Sequence, residues 1–224
     1  MDYINISETF LTYWPSVLVA FLGTIAGSHW INHLYKNELQ SDLLTFPNQL
    51  EQRARFRKPL LFLLLMFCFS KAWSLASGLQ FAFLWTAVAL LSLVTVTDFE
   101  QYVIFDVMLL PFAVCGIAYT VYMQLPFAEH LAAGLGGGLL FFVLAVLTKG
   151  SIGGGDIKLI AALGLWLGVR SLIALIAYGF VAGGAAALFL LVTKQKSRHD
   201  YFAYGPYFAL SGIGILLCLL NVSL

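Results

Sequence analysis

Long stretches without a charged side chain alternate with short polar segments along this chain. Windows free of Asp, Glu, Lys and Arg cover residues 9–35, 72–97, 107–128, 130–148, 171–193 and 201–224. Runs of about 18 or more such residues are typical of membrane-spanning helices. The pattern therefore predicts an all-α, polytopic membrane protein.

Turn residues and charges divide the apolar sequence into about eight predicted spans. Pro59 stands where a helix begins, since its missing N–H does no harm there, and Ser77-Gly78 marks a tight turn. The predicted spans are residues 9–30, 59–78, 79–97, 103–122, 130–147, 156–169, 171–193 and 206–220. The sixth span is short, about 21 Å at the helical rise, so we expect it to be tilted or preceded by a loop that dips into the bilayer.

The distribution of positive charge predicts which ends of the spans face the cytoplasm. The chain has 12 Lys and Arg residues, and all but Lys71 and Arg170 fall on one side of the eight-span threading. That side is cytoplasmic by the positive-inside rule, which places Asp98 and Asp156 at cytoplasmic helix ends and both termini outside. We interpret the basic cluster at residues 53–58 as a topology signal that contacts lipid headgroups.

Composition narrows the function classes. The chain is 61% hydrophobic and 10% charged, with a net charge of +1, so nothing electrostatic favours a nucleic-acid partner. The three cysteines lie inside apolar runs, where a free Cys behaves as a small hydrophobic residue. His29 and His33 lie one helical turn apart without a suitably spaced carboxylate or Cys, so we predict no metal site.

Two aspartates carry the candidate chemistry. Three glycines, Gly153, Gly154 and Gly155, run into Asp156 at the start of the sixth span, and Asp98 ends the third. A carboxylate at the membrane edge is costly and marks a candidate functional site. Two adjacent carboxylates share a proton and titrate as a unit, so one acts as the base that activates water and the other as the acid.

The glycines have their own predicted role at this site. They allow a substrate strand to lie close to the backbone and pair with it, so we take all three as substrate-binding. We also hypothesise that this flexible loop holds the two carboxylates apart until a substrate arrives.

Other roles remain open for these acids. Asp98 and Asp156 could cap helices. They could also be proton or cation sites of a transporter or channel, although the chain shows no internal repeat that would favour one. For Asp106, just inside the fourth span, we favour a structural role as a hydrogen-bond acceptor.

Three blocks, in order, resemble the bacterial type IV prepilin peptidases, which are intramembrane aspartyl proteases with a G-x-G-D motif. Residues 153–156 fit that motif, and the apolar continuation to Gly168 looks like the glycine–aspartate helix of these enzymes. Residues 98–106 resemble the block that contains the other aspartate, although Phe105 replaces its usual Pro. Residues 204–210 resemble the Phe-Gly-Pro-Phe-Leu-Ala segment that opens the last span.

The resemblance covers roughly residues 59–224 and implies a function. It implies an aspartic endopeptidase that cuts the basic leader from prepilin or pseudopilin precursors, at the cytoplasmic face of the bacterial inner membrane. Such enzymes serve type IV pili, secretion or competence. Asp98 and Asp156 match the catalytic pair, and proteolysis needs no cofactor. Proteases of the signal-peptide-peptidase type instead pair their motif with Tyr-Asp, which Thr97-Asp98 does not supply.

Residues 1–58 depart from the family pattern. Many members carry two C-x-x-C motifs in the first cytoplasmic loop, but this loop has no Cys, so it cannot form a tetrathiolate zinc site. Residues 27–32 match only loosely the segment associated with N-methylation. We therefore divide the chain into residues 1–58, a degenerate methylase-like region, and residues 59–224, the peptidase domain. Use of S-adenosylmethionine for methylation stays open.

Overall fold

The computed structural model describes residues 6–39, 43–76, 78–195 and 202–222, and that part of the chain is helical without a β-strand. Four of its helices are long and apolar enough to cross a membrane, and two shorter apolar helices accompany them. The prediction of an all-α polytopic membrane protein is confirmed. The helices are α1 (Ile6–Glu38), α2 (Leu50–Arg53), α3 (Arg57–Leu75), α4 (Gly78–Gln101), α5 (Asp106–Tyr122), α6 (Phe127–Leu147), α7 (Gly154–Val192) and α8 (Gly205–Val222).

Helix α7 is kinked at Gly168 and combines the predicted sixth and seventh spans. Gly168 has φ 69° and ψ 177°, in the left-handed region that favours glycine. Near the kink, side chains of the neighbouring helices contact the Leu165 carbonyl. Thr120 Oγ1 donates to it at 3.0 Å, and His130 Nδ1 lies 3.0 Å from it. The short sixth span is thus the first arm of α7, residues 154–167.

Glycines bring α6 and α7 into backbone contact. A Cβ at Gly164 would lie 2.6 Å from backbone atoms of Ala133 and Gly134, and one at Gly138 would lie 3.0 Å from Ala161 Cβ. Small residues at such contacts are a common way to pack helices in membranes. Gly134, Gly137 and Gly138 of α6 therefore lie against α7, whereas Gly136 does not.

This contact predicts the effect of Gly164→Ala. The added methyl group has only backbone in front of it, so α6 and α7 must separate, at a cost of about 1–3 kcal/mol of unfolding free energy. Thermal unfolding in detergent should show a lower midpoint than for the wild type. Gly136→Ala is the matched control, because a Cβ there meets nothing within 4 Å. Equal midpoints for the two variants would contradict the interpretation.

Helix α4 lies at the centre of the fold and packs against α3, α5 and α8. Every residue from Leu90 to Asp98 is buried. The sequence placed the end of this span at Thr97, but the helix continues to Gln101. Asp98 therefore lies inside the last helical turn of α4, and not in the turn that follows it.

Candidate active site

The last turn of α4 fixes the position of Asp98. Tyr102 has φ 55°, and its N–H donates to the Asp98 carbonyl at 3.0 Å, which ends the helix. The Asp98 side chain is buried, and the backbone N–H of Gly205 donates to its carboxylate. Asp98 is therefore bound by the first residue of α8, a helix more than a hundred positions later in the chain.

Asp156 is the third residue of α7, and Gly153 is the N-cap. The Gly153 N–H donates to the Asp156 carboxylate, which is the return half of a capping box. Helix capping therefore accounts for only one of the two oxygens of this carboxylate. The other oxygen, Oδ1, is buried without a hydrogen-bond partner among the described residues. An unpaired buried carboxylate oxygen is costly, and capping alone does not account for it.

The two carboxylates meet at Gly205. A Cβ placed on Gly205 would lie within 3.0 Å of both Asp98 Oδ2 and Asp156 Oδ1, so these two oxygens are at most twice that distance apart. Oδ1 of Asp156 is not hydrogen-bonded to Asp98. The structure thus brings together the two aspartates that the sequence singled out, although whether the glycine loop separates them before substrate binding stays a hypothesis.

Gly205 is the site residue that the sequence analysis missed. The available signal was its place in the third block, directly before Pro206, where a helix begins. Glycine is required here because two carboxylate oxygens and Ile104 Cδ1 occupy the space that a side chain would take.

The three loop glycines have different surroundings. Gly155 packs against Ile104, since a Cβ at Gly155 would lie 3.0 Å from Ile104 Cβ. Gly153 and Gly154 are exposed, and a Cβ at Gly154 would meet nothing within 4 Å. The N–H groups of a first helical turn have no partner within the helix. Gly154 therefore presents an accessible backbone N–H for the predicted substrate contact, whereas the Gly153 N–H donates to Asp156 and Gly155 has a packing role.

The other nearby acids are engaged in ion pairs. Asp106 is exposed, and Lys158 Nζ donates to both of its carboxylate oxygens at 2.7–2.8 Å, in keeping with the structural role favoured for it. Glu100 is buried and bonds to Arg57 at 2.6 Å. This pair corrects the interpretation of the basic cluster for Arg57, which is only 3% exposed and faces the protein interior rather than lipid headgroups, whereas Arg55 and Lys58 are exposed.

Comparison with known proteins supports the resemblance seen in the motifs. Residues 84–188 match the model of the type IV leader peptidase family. Proteins named "Prepilin leader peptidase/N-methyltransferase" are similar to the chain: that of Neisseria gonorrhoeae is 44% identical over 75 residues, 33% of this chain and 25% of the relative. That of Aeromonas salmonicida is 28% identical over 134 residues, 57% of this chain and 45% of the relative. That of Bacillus subtilis is 33% identical over 81 residues, 36% of this chain and 33% of the relative.

The resemblance to type IV prepilin peptidases is confirmed by these matches. They span between a quarter and a half of the length of these relatives. The matched family segment contains both Asp98 and Asp156. The transporter alternative finds no support in the comparisons, and no solved structure matches the chain.

Proposed function

We propose that this chain, whose residues 84–188 match the type IV leader peptidase family, is a membrane aspartic endopeptidase that removes the leader of prepilin-like precursors. The observation that carries the proposal is the convergence of Asp98 and Asp156 on Gly205. Two carboxylates from distant helices meet there at helix ends in an apolar chain, which suits acid–base chemistry at a membrane edge.

The two carboxyl groups supply both halves of the acid–base chemistry. Two carboxyls this close cannot both ionise easily, so one keeps its proton and acts as the acid while the other is ionised and acts as the base. The base removes a proton from a water molecule, whose oxygen attacks the scissile carbonyl carbon, and the acid protonates the carbonyl oxygen. Collapse of the tetrahedral intermediate then breaks the C–N bond as the leaving nitrogen takes a proton from the pair. The unpaired Asp156 Oδ1 is free to bind the shared proton or the attacking water.

Backbone groups near the pair suit an extended substrate. The exposed residues Gly153 and Gly154 lie at the start of α7, within three residues of Asp156, and the Gly154 N–H has no partner within the helix. In this proposal the segment around the scissile bond lies against them, and its apolar continuation enters the bilayer. The excess of Lys and Arg on the same side supports a site at the cytoplasmic face, which in this proposal is that of a bacterial inner membrane.

Methylation of the new N-terminus is a second candidate activity, favoured by one cavity. A space of about 570 Å³ lies between the end of α1 and the start of α3, within the range of small-molecule sites. Its polar lining residues are suited to the carboxylate and hydroxyl groups of S-adenosylmethionine, and they include Ser28, Asn32, Lys36, Arg55 and Lys58. Bound there, this cofactor would supply the methyl group.

The test is cleavage of a prepilin-like peptide by the protein in liposomes. The peptide carries a basic leader, a glycine and an apolar stretch, and mass spectrometry of the products should show a cut after the glycine. Addition of S-adenosylmethionine tests for a product heavier by one methyl group. No cleavage of several leaders, together with proton or cation flux across the same liposomes, would replace the protease by a transporter.

A further inference from the structure

A buried ion pair lies on the side of α4 that faces away from the aspartates. Arg57, at the start of α3, donates from Nε to Glu100 Oε1 at 2.8 Å and from Nη2 to Glu100 Oε2 at 2.6 Å. Both side chains are almost completely buried. Successive residues of an α-helix are rotated by about 100°, so Glu100 and Asp98 point to nearly opposite sides of the same turn.

Helix α1 completes this contact. Tyr35 Oη donates to Glu100 Oε2 at 3.0 Å, and the Arg57 guanidinium lies 5.2 Å from the centre of the Tyr35 ring. Arg57 Nη1 donates to Asn32 Oδ1. We call these four side chains, Asn32, Tyr35, Arg57 and Glu100, the Arg57 network. It joins α1, α3 and α4 at one point.

The segment between α1 and α3 also contacts the last turn of α4, through the Arg53 side chain and the Phe46 N–H. Arg53 Nη1 donates to the Glu100 carbonyl at 2.9 Å, at the end of α4 where carbonyls lack helical partners. The Arg53 guanidinium lies 3.5 Å from the centre of the Phe46 ring, and the Phe46 N–H donates to Gln101 Oε1 at 2.9 Å. The last turn of α4 is thus held by the loop as well as by α1 and α3.

Stability alone is a poor reason for such an arrangement. A buried ion pair costs desolvation energy, and apolar residues of similar size often give an equal or greater stability. What the ion pair adds is direction, because a bidentate guanidinium–carboxylate contact fixes both groups in one plane. That direction is imposed on the turn that contains Asp98, which must meet Asp156 across Gly205.

We propose that Glu100 and Arg57 are positioning residues for the protease, which hold the last turn of α4 so that the Asp98 carboxylate meets Asp156. The inference rests on the proposed function, since a position has a catalytic meaning only if the pair cuts peptides. Neither residue touches the reacting atoms, and both act through Asp98.

The test compares Glu100→Gln with two controls at exposed positions outside the proposed sites, Gln52→Ala in α2 and Glu129→Gln in α6. Misplacing a catalytic group by about 1 Å can cost about 100-fold in rate, so we expect kcat of Glu100→Gln to fall about 10- to 100-fold with KM within about twofold. The pH profile of kcat should also change shape, since the spacing of the two carboxyls changes, whereas a loss of folded enzyme alone leaves that shape intact. The controls should match the wild type.

A second readout does not depend on activity. Hydrogen–deuterium exchange of the amides at the end of α4, residues 98–102, should be faster in Glu100→Gln than in the wild type and the controls. Tyr35→Phe removes one hydroxyl while keeping the ring over Arg57, so it should show smaller changes in the same direction and decides the question if Glu100→Gln does not fold.

The outcomes separate this inference from the proposed function. Folded Glu100→Gln or Tyr35→Phe with wild-type kcat, pH profile and exchange would overturn the positioning role while the protease stands. If the wild type cuts no peptide, the proposed function fails, and exchange alone decides whether the Arg57 network holds this turn.

Discussion

Asn in place of either Asp98 or Asp156 is expected to abolish cleavage, with kcat lower by about 10³-fold or more. General acid–base catalysis by a positioned group contributes about 10²–10⁴-fold, and each of these carboxyls takes part in both proton transfers. Asn keeps the size of Asp and an oxygen that accepts from the N–H of Gly205 or Gly153, so both variants should fold. What is lost is the shared proton.

The measurement is the cleavage rate of the prepilin-like peptide, with thermal unfolding as the check on folding. Asp106→Asn is the matched control, because Asp106 is an exposed acid whose ion pair with Lys158 is worth at most about 1 kcal/mol. It should cut within about twofold of the wild-type rate. If a folded Asp98→Asn or Asp156→Asn enzyme remains fully active, this pair is not the catalytic one, and Glu100 and Asp106 become the acids to replace.

The parts of the site that were predictable from sequence are those with a local pattern. Asp98 and Asp156 stand out because each interrupts an apolar run, and acids within such runs are rare enough to mark function. Such a pattern involves only a few neighbouring residues, so it can be recognised without knowledge of the tertiary fold.

The parts that were missed depend on contacts between distant segments. Arg57 looked like one more cation in a basic loop, because nothing in residues 53–58 indicates that the loop returns to the end of α4 and buries that guanidinium against Glu100. Gly205 looked like a helix-entry glycine, because its closeness to two carboxylates arises only when α8 packs between α4 and α7. The division at residue 58 stays a prediction.

The end of α4 and the start of α7 differ from the bounds predicted from sequence, and the physical reason is a different one. The polar residues Asp98, Glu100 and Gln101 suggested a turn, but all three are buried in the fold, so the helix continues for another turn. At the other aspartate, Gly154 and Gly155 are already helical because the Asp156 side chain returns to the Gly153 N–H and stabilises the first turn. Tertiary contacts therefore extend the end of α4, whereas a local cap extends the start of α7.

Gly205→Ala should inactivate the enzyme although it changes no ionisable group. The new methyl group would overlap Asp98 Oδ2 and lie 2.9 Å from Ile104 Cδ1 and 3.0 Å from Asp156 Oδ1. Real contacts of this kind do not occur, so the two carboxylates must be pushed apart or the start of α8 must shift. Either change misplaces the pair by about 1 Å, and we expect kcat to fall by about 100-fold or more.

Gly214→Ala, in the same helix, is the matched control for Gly205→Ala. A Cβ at Gly214 meets nothing within 4 Å, so this variant should keep wild-type activity and gain a little stability from the helix propensity of Ala. Peptide cleavage and thermal unfolding of both variants separate the two effects of the methyl group. An active Gly205→Ala enzyme would mean that the carboxylates do not need this glycine between them, and the convergence at Gly205 would lose its catalytic meaning. An inactive but folded one, beside an active Gly214→Ala, would tie catalysis to the spacing of the two carboxylates as well as to their charge.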